Sequence, residues 1–307
     1  MARVNGNASK KGRSSARTGQ KPAAVPPDPV ATTSVPKEEK AEGGDQLSKI
    51  LVLIHNQVGL DFSLYRRGHL LRGIQKQMSA HRLETMDECI RFLRAHAEEV
   101  VPLARALLIK VTRFFRDEFA FETLKKKGLP VITKGKDKKT ALRIWVPGCS
   151  TGEEAYSIAM ILQEYMEETG NRFAIRIFAT DVDSSLVESG RNGLYPLGIT
   201  EDVSPERLDR FFDKVGPEYK IKDDLRSLVV FAAQDLVKGP PFTRLDLISC
   251  RNVLIYMGAE LQRRIVPLLH HCLNPGGILF LGTSETIGSF TDVFSTVDSK
   301  ARIFQAQ

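Results

Sequence analysis

Hydrophobic positions along the chain follow two rhythms that change over near residue 140. From Gln46 onward, Leu47, Ile50, Leu51 and Ile54 recur three and four apart, the spacing that lines one face of an α-helix. Similar stretches follow near 62 to 79, 85 to 97, 99 to 110 and 117 to 127. Together they predict a helical domain over 46–128, closed by a linker over 129–140 whose Gly and Lys content marks a loop. After Ala141, the apolar runs LRIWV, AIRIFAT, LVVFAA, LDLISC and GILFLG alternate with the amphipathic stretches EEAYSIAMILQEYMEE, SSLVESGRN and AELQRRIVPLLHHCL. Strands alternating with helices predict an α/β domain over 141–307, built on a parallel sheet covered on both faces. The turn Asn274-Pro275-Gly276-Gly277 leads into the last of these strands. A polar stretch at about 195–230, with a helix at PERLDRFF and a strand at EYKIK, reads as a small inserted β-subdomain.

Composition narrows the setting. With 42% hydrophobic and 26% charged residues, the chain of 307 residues is that of a globular protein rather than a fibrous or wholly disordered one. Residues 1–45 are the exception: rich in Ala, Ser, Gly, Pro and Lys, they bury too little apolar surface to offset chain entropy and read as a disordered tail. No apolar run reaches the roughly 18 residues of a membrane span and no signal-peptide stretch opens the chain, so a cytoplasmic protein without membrane insertion is expected. Four separated cysteines with no C-x-x-C pair point to a reducing compartment. The six histidines show no H-x-x-H or H-E-x-x-H spacing, so no metal site is expected. A net charge of +7 is compatible with an acidic partner surface or nucleic acid, and charge alone does not separate them.

Candidate chemistry begins at GCSTGEE, where Gly148 and Gly152 join the first strand to a helix. Parallel sheets bind ligands at such turns, because glycine admits close backbone approach and the helix start presents free N–H groups. The next strand ends in Asp181, whose carboxylate can accept both ribose hydroxyls of an adenosine ligand. A third glycine of the G-x-G-x-x-G type is missing, and Glu153 and Glu154 at the helix start would repel a pyrophosphate. A cofactor carrying an amine or sulfonium and no phosphate fits better, and S-adenosylmethionine is such a molecule. The same residues also match G-x-S-x-G, the nucleophile elbow of serine hydrolases, with Ser150 as nucleophile and Asp246 and His270 or His271 following in the required order.

Five segments in order carry a more specific signal: VTRFFRD (111–117), WVPGCSTGEEAYSIAM (145–160), ATDVD (179–183), LDLISCRNVLIYM (245–257) and LNPGGILFLGTSE (273–285). With them the chain resembles the CheR family, the chemotaxis receptor glutamate methyltransferases, from about Gln46 to the C-terminus. It looks most like the CheR-like modules of methylesterase hybrids. The resemblance implies a Rossmann-like S-adenosylmethionine-dependent methyltransferase sheet, a helical N-terminal domain and a small inserted antiparallel β-subdomain, with the cofactor between the domains. It implies that Thr112 and Arg116 reach the cofactor from the helical side. Glu154 and Asp181 would hold its amino-acid and adenosine portions. Asp235, Leu236, Asn252 and Val253 would line it, and Tyr256 and Arg116 would stand at the methyl group as catalytic residues. Lys110 stands where the enteric pattern has a cofactor-contacting asparagine, and Asp235 where asparagine is usual, so a backbone contact is expected at the latter. The short insert argues against binding a pentapeptide tether.

Glutamate is ionised near pH 7, so methylating it requires alignment more than a base. For substrate binding, Arg66, Arg67, Arg72 and Lys76 in FSLYRRGHLLRGIQKQMSAHR offer a basic helix for the acidic cytoplasmic helices of chemoreceptors, although charge runs are commonly plain solvated faces. Few aromatics interleave with these cations, so nucleic acid is not the expected partner. Two alternatives stand beside the methyltransferase: a non-catalytic S-adenosylmethionine-binding sensor or scaffold of the same fold, and the serine hydrolase.

Overall fold

The computed structural model describes residues 42–108, 111–136 and 140–307. The expected tail lies outside the described residues as far as residue 41, as does Lys110. Helix α1 (Glu42–Val58) takes in residues 42–45, which were expected as tail, because extending a helix upstream of an anchored apolar face costs less than nucleating one. With α2 (Arg67–Ala80), α3 (Met86–Ala95) and α4 (Val100–Leu107), it encloses a core that includes Ile50, Ile54, Leu70, Ile74, Leu93 and Leu103. Thr85 starts α3 with a capping box, accepting the Glu88 N–H while the Glu88 carboxylate accepts the Thr85 N–H.

The helix expected from residue 62 starts only at Arg67. Asp61 accepts the Ser63 N–H at 2.9 Å, the Tyr65 N–H reaches the Phe62 carbonyl, and Tyr65 forms an antiparallel bridge with Met257. These local turns hold 59–66 as a loop. Helix α5 (Glu118–Thr123) passes through a π turn at Leu124–Gly128 into α6 (Leu129–Thr133), so the first part of the expected linker is helical, with Leu129, Ile132 and Thr133 buried. Residues 137–139 of that linker lie outside the described residues.

The main sheet comprises β1 (Ala141–Pro147), β2 (Ala174–Asp181), β6 (Val229–Ala233), β7 (Leu245–Cys250), β8 (Leu273–Leu281), β9 (Phe294–Asp298) and β10 (Ile303–Ala306). Its order is β6-β2-β1-β7-β8-β10-β9, parallel through β8 and antiparallel at β10 and β9. Asn274 to Gly277, expected as a turn, are the irregular start of β8, where the register with β7 shifts between Leu245 and Leu247. Alternate residues serve two cores. Ile144, Val146, Ile177, Leu247 and Phe280 join a cluster with α5, α6 and α7 (Glu153–Thr169), whereas Trp145, Ile248, Leu279 and Leu281 pack with α11 (Ala259–Cys272).

Helix α8 (Ser184–Asn192) follows β2, and a second, antiparallel sheet follows α8. Its strands are β3 (Leu194–Pro196), β4 (Phe212–Val215) and β5 (Glu218–Ile221), in the order β3-β5-β4, with α9 (Pro205–Phe211) and α10 (Asp223–Arg226) around them. The fold is mixed α/β: a mostly parallel seven-stranded sheet, a helical N-terminal layer and a small antiparallel sheet.

Candidate active site

A cleft opens at the C-terminal ends of the parallel strands, where open α/β sheets hold their ligands. One wall is Gly148, Asp181 and Val182 after β1 and β2, Gln234 to Lys238 after β6, and Asn252, Val253, Tyr256 and Met257 after β7. The other wall comes from the helical layer: the loop Leu60 to Tyr65 and the end of α4 at Leu107 and Leu108. Asp181, Asp235, Leu236, Asn252, Val253 and Tyr256 are thus brought to one cleft. Thr112, Arg116 and Glu154 are outside its lining.

Backbone geometry shapes the floor. Gly148 has φ +67°, and a Cβ there would come within 2.6 Å of the Val253 side chain. Gly152 has φ +94° and would press a Cβ to 2.8 Å from the Phe231 ring. Between them Ser150 is held at φ +50° while its N–H donates to Asp181 Oδ2 at 2.9 Å. Asp181 Oδ1 accepts the Asp183 N–H at 3.0 Å. Burial raises the Asp181 carboxyl above its usual range, and these backbone bonds oppose the rise. Asp235 Oδ1 accepts the Val237 N–H at 2.7 Å, so that carboxylate serves its own loop.

Glu154, in the first turn of α7, accepts from Ser249 Oγ at 2.7 Å and has Arg251 Nη1 at 3.7 Å. Burial pushes its carboxyl up to about 7, with Arg251, Ser249 and Arg116 pulling down and Glu285 pushing up. Arg251, which the sequence reading missed, has a fully buried side chain. Its Nη2 donates to the Arg116 carbonyl and to Asp117 Oδ2, each at 2.8 Å, and its guanidinium lies 5.0 Å from the Phe121 ring centre and 4.7 Å from that of Phe280. Arg116 is flanked by Phe115 at φ +48° and Asp117 at φ +62°. Each such residue costs on the order of 1–3 kcal/mol and persists only where its surroundings over-determine it. The Arg116 charge acts on both Glu154 and Tyr256, so these groups share one electrostatic neighbourhood. Thr112 is half-buried and joins neither group.

Glu285 was also missed. Its Oε2 accepts the N–H groups of Gly282 at 2.7 Å and Asn252 at 2.8 Å, and its Oε1 that of Ile255 at 3.2 Å. That carboxylate holds Asn252 at φ +58° and starts the short turn that ends at Tyr256. The Tyr256 carbonyl accepts the Arg66 N–H at 2.9 Å, its ring centre is 5.0 Å from that of His69, and the Arg66 guanidinium donates to the Met257 carbonyl at 3.2 Å. Arg66, Arg67, Arg72 and Lys76 are all exposed. Arg72 and Lys76, four apart on α2, share a face, whereas Arg67 sits about 140° from Arg72 around the helix axis.

The hydrolase triad is not assembled. Asp246 lies level with Arg143, whose N–H it accepts at 2.9 Å, and it also binds Lys136 and Asn274. At about 3.3 Å per residue, that is roughly 13 Å along the strand from Pro147 and the Ser150 turn. Ser150 itself is 7% exposed, and His270 packs edge-on against Phe294.

Residues 110–303 match the family described as CheR methyltransferase, SAM binding domain, and residues 45–108 match the CheR methyltransferase all-alpha domain. Cleft and sheet are therefore those of an S-adenosylmethionine-dependent methyltransferase. The chain belongs to the CheR methyltransferase family. It is 35% identical over 243 residues to the chemotaxis protein methyltransferase 1 of Pseudomonas aeruginosa, an alignment covering 77% of this chain and 88% of that one. Against the chemotaxis protein methyltransferase of Vibrio parahaemolyticus it is 37% identical over 196 residues, covering 62% and 70%. It is also 34% identical over 297 residues to an uncharacterized 104.1 kDa protein of Rhodobacter capsulatus, covering 94% of this chain but 31% of that relative. The chain thus spans about a third of the length of that relative.

The residues fit the cofactor. Asn252 Oδ1 is buried beside the cleft without a hydrogen-bond partner, an acceptor awaiting a donor. Among the described residues no helix is long and apolar enough to cross a membrane.

Proposed function

We propose that this chain is a cytoplasmic protein-glutamate O-methyltransferase acting on the cytoplasmic helices of chemoreceptors, with 46–128 as a substrate-facing helical domain and 141–307 as the transfer domain. Its carrying observation is the convergence of Asp181, Asn252 and Tyr256 on one cleft whose second wall is the loop leading into the basic helix α2. Bound S-adenosylmethionine supplies an electrophilic methyl group on a sulfonium. Asp181 would hold the ribose, Glu154 and Asn252 Oδ1 would hold the ammonium group, and Val253 with the backbone at Asp235 and Leu236 would line the base. Thr112 and Arg116, outside the lining of the cleft, would reach the cofactor's methionine side only from its rim.

The incoming carboxylate is the nucleophile and is already ionised, so the chain's task is to line it up with the methyl carbon. Orientation of that kind contributes roughly 7–11 kcal/mol. Arg116 orients the carboxylate by charge and Tyr256 by its hydroxyl, whose pKa burial raises so that it stays a donor. Arg66, Arg67, Arg72 and Lys76 attract the acidic receptor helix, with no tether peptide required. Tyr256→Phe removes one hydrogen bond to a charged group, about 1.5–3 kcal/mol. Labelled methyl transfer into chemoreceptor-enriched membranes should fall about 10- to 150-fold while the S-adenosylhomocysteine Kd holds within twofold. Wild-type protein that binds cofactor yet transfers no label would instead favour the non-catalytic sensor.

Glu154 sets the pH dependence. Only its ionised form pairs with an ammonium group, so cofactor affinity should rise as pH increases through about 7. Glu154→Gln should flatten the profile between pH 6 and 8 in calorimetric titrations. In the ligand-free protein the sign is opposite: the folded value of about 7 exceeds the usual 4.5, so this group's stabilisation is full below pH 4.5 and lost as pH rises through 7. An affinity profile equally steep in the variant would remove Glu154 from the cofactor's amino end.

A further inference from the structure

The strained turn that carries Arg116 is braced from two directions. On the Asp117 side the brace is Arg251, within the main sheet's core. On the Phe115 side it comes from Ser157 of α7 and from Arg207 of the segment inserted between β2 and β6. The Phe115 N–H donates to Ser157 Oγ at 3.0 Å, and the Arg207 guanidinium lies over the Phe115 ring at 4.0 Å from its centre. Arg207 belongs to α9, whose N-terminus is capped by Ser204, and its side chain is 15% exposed. Both oxygens of Glu164 on α7 grip it, at 2.7 Å to Nε and 3.0 Å to Nη2, and Lys125 holds the same Glu164 at 3.1 Å. A guanidinium held by two parallel bonds has a fixed plane, and that plane is what meets the ring. Phe114, one residue earlier, packs edge-on against Tyr195 and Phe212 of the small sheet, with ring centres 4.8 and 5.5 Å apart.

We infer that Arg207 is a positioning residue for methyl transfer: the inserted segment fixes Arg116 by pressing a planar, Glu164-held guanidinium onto Phe115. The inference rests on the reading above in which Arg116 orients the substrate carboxylate. It gives the small inserted subdomain a part in the transfer step that needs no receptor contact. Lysine at 207 keeps the charge opposite Glu164 but offers neither the plane nor the two-point grip, so it separates ion pairing from positioning.

The test is a cycle of Arg207→Lys, Arg207→Met, Arg116→Ala and the double variants Arg207→Lys/Arg116→Ala and Arg207→Met/Arg116→Ala. Each is assayed for labelled methyl transfer into chemoreceptor-enriched membranes at saturating S-adenosylmethionine. Both Arg207 variants should lose about tenfold in kcat with S-adenosylhomocysteine Kd within twofold, and Arg207→Lys should keep the wild-type Tm, which covers the case that the methionine variant folds poorly. In the Arg116→Ala background the Arg207 changes should have no further effect on kcat. Equal losses in both backgrounds, or unchanged kcat in Arg207→Lys beside a crippled Arg116→Ala, would overturn the proposal while leaving the role of Arg116 standing. Wild-type turnover in Arg116→Ala would overturn both.

Discussion

Asp181→Ala should weaken S-adenosylhomocysteine binding by two to three orders of magnitude. Hydrogen bonds to an ionised group contribute about 1.5–3 kcal/mol each, and in the proposed binding mode two ribose hydroxyls would meet this one carboxylate. A loss of about 3–5 kcal/mol corresponds to roughly a hundred- to a few-thousandfold in Kd. The substitution also releases the N–H groups of Ser150 and Asp183, which loosens the glycine turn under the cofactor. Asp181→Asn separates the effects, since its amide oxygen can still accept from one of these N–H groups. Calorimetric titration reads the result directly, and a Kd within threefold of wild type in Asp181→Ala would remove Asp181 from the adenosine site.

Arg251→Met is expected to produce the largest loss of stability, about 3–5 kcal/mol by urea unfolding. Removing one partner of a buried ionic group leaves the others uncompensated, and here the abandoned carboxylates are Glu154 and Asp117. Methionine fills much of the space between Phe121 and Phe280, so the loss reports charge rather than a cavity. Adding Glu154→Gln to Arg251→Met should recover part of it. A change under about 1 kcal/mol would show that the guanidinium is not the centre of the network.

What could be read from the sequence was local. GCSTGEE and ATDVD each place strand end and turn within a few positions, so the cleft floor, with Asp181 at the end of its strand, follows from the strand–turn–helix pattern. The same locality misleads at Ser150: five residues match a hydrolase elbow, but strand register puts Asp246 at the far end of the sheet. Arg251 and Glu285 act through partners some 30 to 135 residues away, which no periodicity announces. Residues 62–66 read as the start of a helix because their apolar positions keep helical spacing, whereas the chain uses Phe62, Leu64 and Tyr65, with Leu60 before them, to wall the cleft. Strands β9 and β10 escaped notice because they pair antiparallel at the sheet's edge, outside the strand–helix alternation.

The two walls of the cleft belong to different parts of the chain, and Lys238 Nζ joins them at the Gly59 carbonyl, 2.9 Å away. A molecule seated there is a third partner in the association of helical layer and sheet. By linkage it adds RT ln(1 + [L]/Kd) to the stability of the fold that holds both walls together, about 2.7 kcal/mol at a hundredfold excess over Kd. Under the function proposed above, the firmness with which α2 is presented to an incoming helix would then be a function of metabolite concentration. A cell short of methyl donor would have not only an idle enzyme but a looser one.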